Sequence, residues 1–281
     1  MTDHLRIPTE PGIFDALVAG PSGGEPVLLL HGFPECSLQW DHQLGALGAA
    51  GYHVVAPDQR GYSPGVRPTA VEDYRLEELA GDVFRIADAL GWQRFHLVGH
   101  DWGAAVAWAA AAWTPERVRS LVTLSVPHPT PFAAAIREDE DQAHRSAYMR
   151  LFRETGTAER RLLADDAALL RQVYERKVPR SHIEEYVTRL TEPGALTAAL
   201  NWYRAVRMST TEVGEIAVPT TYLWGTEDIA VGSTAALGTE KYVTGPYRFA
   251  MLEDLSHWMC EEAGSLVSDV LLAHLTSWGG R

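Results

Sequence analysis

Cysteine is almost missing from this chain. Only Cys36 and Cys260 occur among 281 residues, too few for a disulfide framework and without the paired spacing of a metal site. Basic charge is also scarce: 24 Lys and Arg face 37 Asp and Glu, a formal net charge of −13 with a pI near 5.3. This balance argues against nucleic acid and against an anionic membrane surface as partners. Its plain consequence is an acidic, solvated surface that aids solubility. No run of about 18 apolar residues occurs, and Met1-Thr2-Asp3-His4-Leu5-Arg6 lacks the basic and apolar regions of a signal peptide. The expectation is a reduced, cytoplasmic protein. A homodimer is compatible with the sequence, which does not set the oligomeric state.

Apolar residues make up 46% and charged residues 22%, as in ordinary soluble globular proteins. The length suits one large α/β domain carrying an inserted module. Strands are expected over 5–9, 13–19, 27–30, 53–57, 94–98, 118–126, 219–224 and 247–252, with helices over 37–50, 74–90, 104–113 and 265–278. Strands that alternate with helices and read as near-continuous apolar runs predict a mostly parallel sheet covered by helices on both faces. Between Pro127 and Val213 no strand pattern appears, and Arg, Glu and Ala dominate. The expected organisation is therefore a core over 1–127, an inserted helical module over 128–214, and the rest of the core over 215–281.

One stretch organises the chemistry. Val98-Gly99-His100-Asp101-Trp102-Gly103-Ala104 joins an apolar strand to an alanine-rich helix, the context of a nucleophile elbow. Glycine on both sides lets strand and helix approach closely, and the central side chain stands at the tip beside the first N–H groups of the helix. Here that side chain is Asp101. Two serine versions of the same spacing serve as controls. Gly20-Pro21-Ser22-Gly23-Gly24 precedes a strand, and Gly61-Tyr62-Ser63-Pro64-Gly65 is denied a helix by Pro64 and Pro68. Both read as loops.

In a parallel sheet, working groups gather at the carboxyl ends of strands. Asp228, with Glu227 as its rival, follows the strand over 219–224, and His257 follows the last strand. Nucleophile, acid and histidine in that order match the triad of this class of elbow. A carboxylate nucleophile would form a covalent ester, and a histidine oriented by a second acid would activate the water that hydrolyses it. The strand ending at Val126 offers Pro127-His128 and no carboxylate. His31-Gly32-Phe33-Pro34 ends the neighbouring strand, which makes the N–H groups of Phe33 and Trp102 the candidate oxyanion hole.

On these motifs the chain resembles the α/β-hydrolase epoxide hydrolases, the soluble type with a helical cap. The resemblance spans nearly the whole chain and includes His31-Gly32-Phe33-Pro34-Glu35 with Trp40, Asp58-Gln59-Arg60-Gly61-Tyr62-Ser63, Gly99-His100-Asp101-Trp102-Gly103, and Asp254-Leu255-Ser256-His257-Trp258. It implies an α/β-hydrolase fold with 128–214 as the cap, and it favours Asp228 over Glu227. Asn201-Trp202-Tyr203-Arg204 and the segment Tyr148-Met149-Arg150-Leu151-Phe152 resemble those that supply two epoxide-polarising tyrosines, here Tyr203 and Tyr148. A phenol stays protonated at neutral pH and can donate to a departing oxygen. His31, Pro34 and Trp40 are implied as substrate-binding. The chain departs from the family pattern at Thr155, where proline is usual, and at Cys36 and Cys260. The implied reaction converts a small-molecule epoxide to a vicinal diol without metal or cofactor. The runners-up are a dehalogenase using the same aspartate, with Trp102 as a halide donor, and a non-hydrolytic or ligand-binding protein on this fold.

Overall fold

The structure is a computed structural model, and it describes residues 2–174 and 176–279. Eight strands form one sheet in the order β1-β2-β4-β3-β5-β6-β7-β8. The strands are β1 (Asp3–Thr9), β2 (Gly12–Ala19), β3 (Pro26–Leu30), β4 (His53–Pro57), β5 (Phe95–His100), β6 (Val118–Leu124), β7 (Thr220–Glu227) and β8 (Tyr247–Ser256). β1 and β2 make an antiparallel hairpin, β2 pairs antiparallel with β4, and every pairing from β4 to β8 is parallel.

The apolar runs of β3 and β5 divide between the two faces of the sheet. Leu28, Leu30 and Leu97 face a core shared with Trp108 and Val83, while Val27, Leu29 and Val98 face a core shared with Leu44 and Leu271. This alternation is the period-2 geometry of a strand. A strand covered on both faces needs apolar residues at both parities, which is why these segments read as continuous runs. The first core is built against α2 (Leu76–Ala89) and α3 (Trp102–Trp113), the second against α1 (Asp41–Ala49) and the closing helix Gly264–Trp278.

Two of the differences from the expected boundaries bear on the site. The helix expected over 37–50 is a 3-10 turn, Ser37–Trp40, followed by α1. β8 runs on to Ser256, because a register shift against β7 lets Glu227 pair with Ser256, so His257 leaves directly from a strand end.

Between β6 and β7 lie α4 (Pro129–Glu138), α5 (Glu140–Arg145), α6 (Tyr148–Phe152), α7 (Thr157–Gln172), α8 (Arg180–Thr191) and α9 (Ala195–Ala205). The prolines at 127–131 start a helix here: Pro129 takes the first helical position, where its missing N–H costs nothing, and the His128 ring accepts from the Thr130 N–H at 3.3 Å. α7 is broken at Ala164–Ala167, where the backbone leaves the helical region. These helices share their own core of Phe152, Leu162, Leu170, Val187, Leu190 and Leu200, into which Phe33 of the sheet domain inserts. Among the described residues, no helix is long and apolar enough to cross a membrane.

Candidate active site

Asp101 sits between β5 and α3 with φ 50° and ψ −118°, a conformation that costs a non-glycine residue of order 1–3 kcal/mol. The tertiary fit holds it there. A Cβ on Gly99 would lie 2.3 Å from the Gly103 carbonyl oxygen, and one on Gly103 would lie 2.1 Å from that of Leu30. A Cβ on Gly32 would lie 2.4 Å from the Cβ of Asp101 itself. The elbow thus presses against the end of β3, and the Phe33 N–H donates to Asp101 Oδ1 at 2.8 Å. Trp102 opens α3 directly after Asp101, so both amides expected for an oxyanion hole border this carboxyl group. The Phe33–Pro34 peptide is cis.

His257 brings Nε2 within 3.7 Å of Asp101 Oδ2, and its Nδ1 lies 3.1 Å from Asp228 Oδ1. Asp228 is fully buried and takes backbone N–H groups from Ala230 at 2.8 Å and Val231 at 3.1 Å. Burial pushes its carboxyl upward, but His257 and these donors hold it below the usual range. For His257 burial opposes the charged ring; the Asp228 carboxylate, followed by Asp101, outweighs it and lifts the ring to about 9. Glu227, the alternative acid, is exposed in β7 and paired with Ser256.

Tyr203 is buried on α9 and Tyr148 is half-buried on α6, with ring centroids 6.2 Å apart. The Tyr203 ring also meets Trp102 edge-on at 4.9 Å. Burial drives both phenols upward, so both remain proton donors. An apolar cavity surrounds these groups in two lobes. One, of about 230 Å³, runs past Phe132, Ile136 and Met149; the other, of about 410 Å³, runs past Phe33, Leu162 and Trp258. Asp101, Tyr148 and Ala230 belong to the walls of both.

Three expected substrate-binding residues lie elsewhere. Trp40 is fully buried in the core beneath α1 with Val27 and Leu44, because the 3-10 turn points it inward. The His31 ring is buried between the backbone of Gln59, whose N–H donates to Nε2 at 3.1 Å, and the edge of Tyr62. Pro34 is buried and its carbonyl accepts the Tyr174 hydroxyl at 2.9 Å. None of the three belongs to the wall of either lobe.

Three further groups in the site went unrecognised along the chain. Ser125, at φ 65° after β6, places Oγ 2.9 Å from His257 Nδ1. His100 and Glu35 lie beneath the site, 3.2 Å apart, and the His100 ring also contacts the carbonyl oxygen of His257 at 2.9 Å. Both stand inside the strand-end motifs that hold Asp101 and Phe33, so a second polar residue in each motif was the available signal. Ser125 carried none, since a serine closing an apolar strand looks like any turn residue. Among the described residues, no cluster of His, Cys, Asp or Glu could hold a metal ion.

The family model of the α/β-hydrolase fold matches residues 25–263. Epoxide hydrolase A of Mycobacterium tuberculosis is 33% identical over 92% of this chain and 92% of its own length. Epoxide hydrolase 4 of Mus musculus is 32% identical over 97% of this chain and 79% of its length. The crystal structure of epoxide hydrolase A from Mycobacterium thermoresistibile superposes over 100% of both chains with a TM-score of 0.88 and 28% identity. With sheet order, elbow and relatives in agreement, the chain belongs to the α/β-hydrolase fold family and groups within it with the epoxide hydrolases.

Proposed function

We propose that this protein is an epoxide hydrolase that makes a vicinal diol through an ester on Asp101. The observation that carries the reading is the placement of two protonated phenols and an elbow carboxylate in the wall of one apolar cavity. An Asp101 oxygen attacks an epoxide carbon. The C–O bond breaks, and the departing oxygen takes a proton from Tyr148 or Tyr203. Alkylation removes the Asp101 charge, one of the groups that raise His257. The ring therefore releases its proton more readily, and that proton restores the spent phenol before His257 must act as a base. His257 then takes a proton from water, which attacks the ester carbonyl carbon, and the N–H groups of Phe33 and Trp102 hold the resulting oxyanion. Collapse frees the diol and restores Asp101.

Asp228 orients His257, and residues 128–214 act as the cap that carries both tyrosines. Because Asp101 and Tyr148 border both lobes, the favoured substrate is an apolar epoxide with a substituent on each ring carbon, one arm per lobe.

The test is His257→Gln mixed with a 1,2-disubstituted aryl epoxide. The protein should gain one substrate mass, mapping to Asp101, because alkylation does not need the base while ester hydrolysis does. An adduct on Ser22, Ser63 or another residue overturns the reading. So does diol formation by the parent with no adduct in the variant.

A further inference from the structure

A chain of buried polar groups runs beneath the site from α8 to the backbone of His257, and its hydrogens can be counted. The His100 ring places Nε2 2.9 Å from the His257 carbonyl oxygen, which only accepts, so Nε2 carries a hydrogen. Burial pulls this ring down to about 4, so at neutral pH Nδ1 is bare. Yet Nδ1 lies 3.2 Å from Glu35 Oε2. Two lone pairs at that distance repel, and only a proton on Glu35 makes the contact a hydrogen bond.

The same count applies one step further out. The Glu35 carboxyl is within hydrogen-bonding reach of Glu261, and the Tyr186 hydroxyl donates to Glu261 Oε1 at 3.0 Å. Both Glu35 oxygens, His100 Nδ1 and Glu261 Oε2 are buried and find no donor among the described residues. Ionised carboxylates would leave all four without a hydrogen. Two protons, one per carboxyl, satisfy every contact. Burial pushes both acids upward, in agreement.

We propose that Glu261 is a positioning residue of the base: a buried carboxylic acid that accepts from Tyr186 and donates to Glu35, completing a one-way chain Tyr186→Glu261→Glu35→His100→His257 carbonyl. The chain ties α8 to the backbone of the catalytic histidine. It also keeps negative charge away from the ring, since an ionised Glu35 would strengthen proton binding by His257. Loss of either proton leaves neighbouring lone pairs facing each other and breaks the tie.

The other titratable groups around the pair add no competing charge. The Tyr62, Tyr174 and Tyr186 phenols and the Cys36 and Cys260 thiols are all driven upward by burial and stay neutral. The Arg189 guanidinium beyond Cys36 is closed on Asp58 at 2.6 Å. That leaves Asp101 and His257 of the site itself.

The kinetic arm of the test rests on the Asp101 ester; the infrared arm does not, so the two readings can fail separately. Infrared difference spectra of the parent at neutral pH should show two buried carboxylic-acid carbonyl bands. Glu261→Gln should remove one band and, because the amide still accepts from Tyr186 and donates to Glu35, keep ester hydrolysis within about twofold of the parent. An N–H is a weaker partner than an O–H for a Glu35 anion. The alkaline fall in hydrolysis should therefore move to higher pH in this variant. Glu261→Leu, which cannot donate, should hydrolyse the ester about tenfold more slowly while alkylating at the parent rate. Absence of the acid bands in the parent overturns the proposal. So does Glu261→Leu hydrolysing like the parent, or an unmoved alkaline limb in Glu261→Gln.

Discussion

Two stretches of this chain carry the same spacing and end in opposite places. Gly99-His100-Asp101-Trp102-Gly103 is a strained turn whose central carboxyl reaches the cavity, whereas Gly61-Tyr62-Ser63-Pro64-Gly65 is a loop whose central hydroxyl is sealed away. Ser63 Oγ donates to the Asp58 carbonyl at 2.8 Å and accepts the Asp15 N–H at 2.8 Å. Both bonds tie the end of β4 to β2, and neither leaves the hydroxyl free to react. The difference comes from the residues immediately after the central one. Trp102-Gly103-Ala104-Ala105 enters a helix at once, which bends the backbone of Asp101 to positive φ and presents its side chain. Pro64 cannot continue a helix, so Ser63 turns inward instead. A glycine-flanked polar residue thus reaches the cavity only when strand and helix meet at it.

The comparison breaks first on activity. Asp101→Asn should lower diol formation by at least about a thousandfold, since an amide does not alkylate. Ser63→Ala should leave turnover within about twofold while lowering stability by roughly 1–3 kcal/mol, because the Asp15 N–H loses its acceptor. Equal losses of turnover in the two variants would erase the distinction.

Stability offers the second contrast. At Gly103 a Cβ would come within 2.1 Å of the Leu30 carbonyl oxygen, whereas at Gly23, in the other serine look-alike, it would meet nothing within 4 Å. Gly103→Ala should cost more than about 4 kcal/mol or prevent folding, and Gly23→Ala should fall within about 0.5 kcal/mol of the parent. Chemical denaturation of both decides, and a stable, native-like Gly103→Ala would sink the account of the elbow.

The third contrast is with pH. His100 lies within the elbow and His31 packs between it and Tyr62 of the Ser63 loop: burial holds each down to about 4 against an ordinary 6.5. A ring whose pKa falls on folding contributes stability that is fully present above 6.5 and is lost as pH drops toward 4. Each can contribute up to about 3 kcal/mol over that window. Unfolding free energy should therefore fall steeply between pH 6.5 and 4, and His100→Gln should flatten the slope. An unchanged slope in that variant would show that His100 does not stay neutral.

Much of this architecture is readable along the chain because its causes are local. The core strands announce themselves through apolar runs, the elbow through glycines between a strand and an alanine-rich helix, and His257 through its place after the last strand. Trp40 escaped because a motif position says nothing of which way a 3-10 turn points its side chain. Ser125 and Glu261 escaped because each looks ordinary among its own neighbours.

The choice of Asp228 over Glu227 needed the family resemblance, but residue order alone points to the succession of elements, to Asp101 at the elbow and to His257 after the last strand. These rest on periodicity, steric limits at glycine and proline, and chain order, all of them visible without a fold. Which groups share a proton depends instead on the folded molecule. Glu35 and Glu261 stand 226 positions apart in the chain, and an isolated carboxyl at either place would simply ionise. The folded sheet excludes water from both, sets them against one neutral histidine, and makes the protonated acid the lower-energy form.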